Sequence, residues 1–212
     1  MLSTPLMRRA VLALAMALAV PLMAAQPAAA ANVAETFVDQ NLQKGLAILN
    51  NKSLSSAQRR DQFQSFLLAL VDTRRIALFT LGQYRRTAPP ADVEAFTVAF
   101  KDYATAAYQS YFARYSGQTI KVIGSQQRAP TDYIVATQLI DPSKSQAPLE
   151  VDFRIRTDGG SPVLVDVSVA GIWLSLEQRD QFVSFLGQNN GNIRTLIAHL
   201  SDLSANLSKS AN

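Results

Sequence analysis

At Gly117 the spacing of apolar residues changes from helical to extended, and that change commits the chain to a mixed α+β fold. Before it, Val93, Phe96, Phe100, Tyr103, Ala107, Tyr111 and Tyr115 recur at intervals of three and four, and Tyr108 and Phe112 widen the seam. This is the period of one helical face, and it predicts a long helix over residues 90–115. Pro90 suits the first turn, where its missing N–H has no partner to lose. Beyond Gly117, Leu149, Val151, Phe153 and Ile155 alternate with Glu150, Asp152, Arg154 and Arg156. A period of two with one apolar and one charged face marks a strand covered on one side only. Residues 119–123 and 133–140 are shorter strand candidates. Asp158-Gly159-Gly160 is a turn signal, after which Val163, Val165, Val167 and Val169 occupy alternate positions of a further strand. Short links between consecutive strands imply antiparallel pairing.

Helices flank this stretch. Residues 35–49 place Val38, Leu42, Leu46 and Leu49 on one face. Ser55 stands three residues before Gln58, the spacing of a capping box, and opens a helix that runs through Val71. Asp72 can cap the next, which carries Ile76, Phe79 and Leu81 and stops at Gly82. After Gly171 two more helices are expected, near residues 176–186 and 192–203, and the last nine residues are polar enough to fray. The fold class is therefore α+β: a curved antiparallel sheet of about four strands, covered by a mostly helical N-terminal half and by C-terminal helices. Periodicity leaves open whether the wide apolar faces close into a filled core or splay around a cavity.

Residues 1–31 read as a cleaved secretory signal, with Arg8 and Arg9, an apolar run over residues 10–20, and alanines at 24, 25 and 28–31. The Sec route is expected, with cleavage after Ala25 or Ala31. Residues 32–212 then form a single domain. Without the signal the net charge is 18 − 16 = +2, because residues 1–31 hold two of the 20 basic and none of the 16 acidic residues. So small a charge, without basic runs, argues against nucleic acid as partner. The chain has no cysteine, which excludes thiolate metal sites and thiol catalysis.

Chemistry-bearing patterns are sparse. His199 is the single histidine, and a lone helical histidine is more often structural than catalytic. Metalloprotease, nucleophile-elbow and phosphate-loop motifs do not occur. Asp152 and Asp166 lie on neighbouring strand candidates and are the best carboxylate pair for an enzyme reading, although Arg154 and Arg156 offer them ordinary ion-pair partners. Trp173 is the single tryptophan, too little for a sugar-lining aromatic set. No catalytic residue, metal or cofactor is expected.

A collinear set of segments carries a resemblance. It comprises Leu81-Gly82-Gln83-Tyr84-Arg85-Arg86-Thr87-Ala88-Pro89, Phe96, Phe100, Tyr103, Tyr111, Tyr115-Ser116-Gly117, Val151-Asp152-Phe153-Arg154 and Val165-Asp166-Val167. Gly171-Ile172, Arg179, Phe182 and Leu196-Ile197 complete it. In this order the chain resembles the toluene-tolerance or MlaC family of periplasmic lipid-binding proteins. It is most similar to the hopanoid-associated HpnM branch, partly through Asn51-Lys52-Ser53-Leu54. Trp173 departs from the pattern, standing where a small polar residue is usual. The resemblance implies a sheet-and-helix cone enclosing an apolar cavity, with phospholipid or hopanoid as cargo. It also implies a periplasmic location and shuttling between an inner-membrane ABC transporter complex and an outer-membrane lipid complex; a monomer is expected. On this reading Phe79, Tyr84, Phe96, Phe100, Tyr103, Tyr111, Val151, Phe153, Val167 and Ile172 contact lipid, and Arg85 and Arg86 are headgroup candidates.

Overall fold

A computed structural model describes residues 32–112, 115–143 and 147–210, apart from the side chains of residues 108, 110–112 and 210. The expected signal, residues 1–31, lies outside the described residues. Helices α1 (Val33–Leu49), α2 (Ser56–Leu70) and α3 (Thr73–Thr80) lead through a 3-10 turn, Gly82–Arg86, to α4 (Pro90–Phe112). Strands β1 (Thr119–Ala129), β2 (Asp132–Ile140), β3 (Leu149–Arg156), β4 (Val163–Val169) and β5 (Ile172–Trp173) follow, and then α5 (Leu174–Gln188) and α6 (Ile193–Ser210). The strands form one five-stranded antiparallel sheet in sequence order. The α+β fold is as expected, with a fifth strand of two residues added beyond Gly171.

Local chemistry fixes the helix starts. The Asn32 side chain accepts from the amides of Ala34 and Glu35, and its own amide donates to Ser125 Oγ at 2.6 Å, tying the start of α1 to β1. Ser55 and Gln58 form the anticipated capping box of α2. Asp72 accepts from the Arg75 amide at 2.9 Å, while the Asp72 amide donates to the Leu164 carbonyl at 3.0 Å. The second bond, with the Val71–Leu164 bridge, anchors the α2–α3 junction on β4.

Two apolar clusters result. The first is helical: Phe96, Phe182, Leu186, Leu196 and Leu200 join α4, α5 and α6, with Leu81 beside them. Its rings meet edge to face, Phe182 lying 5.9 Å from Phe96 and 6.3 Å from Phe100, a favoured aromatic arrangement. Gly82 makes the close approach possible. It has φ +56°, and a Cβ there would meet Val183 Cγ2 at 2.8 Å. The second cluster joins Ala34 and Val38 of α1 to Val135, Ile155 and Leu164 on the inner sheet face.

Three details differ from or refine the sequence reading. In strand β4, which runs where expected, the buried positions are Leu164, Asp166 and Ser168, and the valines between them are part-buried. The register slips between Arg154 and Ile155, so Val167 faces Phe153 while Leu164 faces Ile155. That irregularity interrupts the strict alternation the valines suggested. Helix α6 continues to Ser210, past the expected stop near residue 203, with Ser204 Oγ donating to the Asp102 carbonyl; residues 211 and 212 lie outside the described residues. Packing of Leu196, Leu200 and Leu203 beside α4 outweighs the polar composition of this end. Helix α4 is described to Phe112; residues 113 and 114 lie outside the described residues, and Tyr115 is not helical.

Candidate functional site

Helix α2 is the odd element. Phe63, Phe66, Leu67 and Leu70 lie at i, i+3, i+4 and i+7, yet no residue of the helix is fully buried. Its apolar face borders space. A first cavity of about 300 Å³ lies between α1, α2 and the inner sheet face, lined by Phe37, Leu42, Leu46, Phe63, Phe66, Leu70, Ile120, Leu139, Phe153 and Ile155 among others. A second, of about 240 Å³, lies under α4 and is lined by Leu68, Val71, Ile76, Phe100, Tyr103, Ala104, Val167 and Leu174. Leu67 and Leu164 border both, so they stand between the two chambers. Together the chambers fall within the range of roughly 300–1,000 Å³ common for ligand cavities.

The first chamber asks for no hydrogen bonds. Its polar side chains are engaged with the protein: the Asn41 amide donates to the Phe37 carbonyl at 2.7 Å, and Gln118 donates to Ser116 and Asp141. The Tyr115 hydroxyl donates to Asn50 at 3.2 Å. A cavity so lined favours hydrocarbon over water, which needs two to four polar partners to enter. Gly45 keeps the roof tight, since a Cβ there would stand 3.3 Å from both the Phe63 and Phe66 rings.

The residues singled out from sequence scatter. Phe100, Tyr103 and Val167 line the second chamber and Phe153 the first. Phe96 is fully buried in the helical cluster. Tyr84 packs on the α5–α6 turn, where its ring stands 3.0 Å from the position of a Cβ on Gly191. Val151 is buried in the sheet, its carbonyl accepting from Thr137 Oγ1 at 2.5 Å. Phe79 is 40% exposed under the Arg179 guanidinium, beside a mixed outer hollow that also includes Arg154 and Trp173. Ile172 is 58% exposed on β5. The side chain of Tyr111 lies outside the described residues. Arg85 and Arg86 are exposed on the 3-10 turn and border neither chamber. Sequence reasoning passed over the α2 stripe and Leu164. The stripe was readable as a helical face; that nothing fills the space beneath it was not.

The sheet carboxylates do not form a paired site. Arg154 stands opposite Asp166, and Ser168 opposite Asp152. Both Asp166 oxygens accept hydrogen bonds, from the amides of Val167 and Ser175 and from Ser175 Oγ. Burial, reinforced by Glu150, pushes the Asp152 carboxyl above its ordinary range, and one of its oxygens is buried without a partner. Asp132 behaves oppositely: two hydrogen bonds from Arg154 hold its carboxyl below the ordinary range. His199 stacks on Phe185 with ring centroids 4.7 Å apart.

A family model described as MlaC protein matches residues 39–202. Among solved structures, a phospholipid-binding protein from Ralstonia solanacearum, in complex with a phospholipid, superposes with a TM-score of 0.67. It is 20% identical, over 84% of this chain and 99% of that one.

Proposed function

This chain belongs to the MlaC family, and from that premise we propose that it is a periplasmic lipid carrier that holds acyl chains in its two joined chambers. The observation that carries the reading is the first chamber, whose polar groups are already satisfied and whose remaining lining is hydrocarbon. Each CH₂ removed from water contributes about 0.8 kcal/mol. A sixteen-carbon chain therefore costs on the order of 12 kcal/mol to expose, and a carrier needs only to offset that cost. It requires no nucleophile, acid or metal.

Phe153, Phe100, Tyr103 and Val167 are the residues we assign to chain contact, joined by Phe63, Phe66, Leu67 and Leu164. A phospholipid is the cargo favoured here. Leu67 and Leu164 divide the space, and flexible chains suit a divided space where a rigid polycyclic hopanoid needs an undivided one. The Ralstonia solanacearum protein, of the same fold, holds a phospholipid, which supports this choice. Among the described residues no helix is long and apolar enough to cross a membrane, so shuttling between an inner-membrane transporter complex and an outer-membrane lipid complex would be the work of a carrier without a spanning helix of its own in that portion.

Lipid extracted from protein purified out of its native envelope should be phospholipid in stoichiometric amount. Protein recovered lipid-free, and unable to take up a fluorescent phospholipid, would sink the proposal. Leu67→Trp, which adds bulk where the two chambers meet, should cut uptake several-fold while leaving the circular dichroism spectrum unchanged.

A further inference from the structure

We infer that the mouth of the second chamber selects lipids by their heads, favouring one that donates hydrogen bonds through an ammonium or hydroxyl over one with net negative charge. The inference rests on the carrier reading and adds a cargo class to it. Leu174, 45% exposed, and Glu177, also exposed, are the most open residues of this chamber, so it meets solvent at the first turn of α5. A helix N-terminus would ordinarily attract a phosphate through its free N–H groups. Here that attraction is already answered from within. Asp166 accepts from the Ser175 amide at 3.0 Å and from Ser175 Oγ at 2.5 Å.

What the mouth presents instead is acidic and amide in character. Glu177 supplies a carboxylate, which accepts from Gln181 at 2.9 Å. Gln178 accepts from the Tyr103 hydroxyl at 3.1 Å, and Gln64 accepts from Gln109 at 2.8 Å. Two nearby cations are committed elsewhere. Arg74 and Arg75, which follow Thr73 at the chamber wall, are each gripped by two hydrogen bonds, to Glu94 and to Asp158. Among the described residues the lining of this chamber holds no lysine or arginine. An ammonium or hydroxyl head finds acceptors at such a rim, whereas a net anion meets Glu177.

The test exchanges the purified protein against mixed vesicles of dioleoyl phosphatidylethanolamine, dioleoyl phosphatidylglycerol and diolein in equal amounts, and counts the captured lipids by mass spectrometry. At low salt the first and third should exceed phosphatidylglycerol by about three- to tenfold, the scale of one exposed charge acting over a few ångströms. The excess should shrink as salt rises. Glu177→Lys should reverse it and Glu177→Gln should abolish part of it. Equal capture of all three, or a ratio unmoved by Glu177→Lys, overturns this inference and leaves the carrier reading standing. Capture of no lipid with any head overturns the carrier reading, and this inference with it.

Discussion

The cluster joining α3, α4, α5 and α6 and the chambered half beneath α2 are built from the same residue types, yet one is filled and the other hollow. In the filled half, helix faces meet helix faces: Phe96, Leu186, Leu196 and Leu200 are each fully buried and interlock with aromatic rings. In the hollow half, α2 carries a stripe just as apolar and buries none of it completely. The difference lies in the partner surface. The inner sheet face is already taken by α1 along β1 and β2, where Ala34 and Val38 seat against Val135 and Ile155. Helix α2 packs on α1 instead, where a Cβ on Gly45 would stand 3.3 Å from the Phe63 and Phe66 rings. Apolar composition therefore does not distinguish a core from a container; the supply of complementary surface does.

The largest test of this contrast is Phe96→Ala. Truncating a fully buried aromatic in the filled half should cost about 3–5 kcal/mol in denaturant unfolding, whether or not lipid is bound. Next comes lipid itself. Loading should stabilise the protein by about 2.7 kcal/mol at a hundredfold excess over Kd, seen as a thermal shift, and a shift of the same size in protein whose chambers are blocked by Leu67→Trp would erase the distinction between the halves. Phe66→Ala should cost the lipid-free protein only about 1 kcal/mol, because its ring is part-buried and gains less from burial. Its effect on lipid uptake should be the greater one. A loss as large as that of Phe96→Ala would mean the chamber is packed in solution.

The smallest effect sharpens the comparison on the outer sheet face, where two carboxylates meet opposite fates. Asp152 has its carboxyl raised by burial, so its contribution to stability falls as pH climbs from the ordinary carboxylate range through the raised value. Asp152→Asn should therefore stabilise by about 0.5–1 kcal/mol at neutral pH and by nothing in acid. Asp132 is held low by Arg154, so its contribution is present above the ordinary range and is lost only as pH drops through the lowered value. Unfolding midpoints of Asp152→Asn and Asp132→Asn measured across acid pH should diverge in opposite directions.

Much of the scaffold could be read directly. The Ser55–Gln58 box, Pro90 at the head of α4 and the alternation from Leu149 to Arg156 each carry their own local reason, and each stands where expected. Strand β4 was harder, because a one-residue slip against β3 is invisible in a run of alternating valines, and it is that slip that turns Leu164 inward. The site was harder still. Phe96, Phe100 and Phe153 look alike in sequence, and their assignment to filled core or chamber wall depends on what the opposing element brings to the same space. Tyr84 shows the same dependence: its ring packs beside Gly191 and borders neither chamber.

The anchoring of the α2–α3 junction has a mechanical consequence. The Asp72–Leu164 hydrogen bond and the Val71 bridge fasten the C-terminal end of α2 to the sheet, the Gln109–Gln64 hydrogen bond ties its middle to α4, and its N-terminal end closes on its own capping box. A rod held from its middle to its far end leaves its first turns the freest to lift. Amides near residues 56–63 should exchange with deuterium faster in the lipid-free protein than in the loaded one, and those at Val71 and Asp72 should keep the same pace in both.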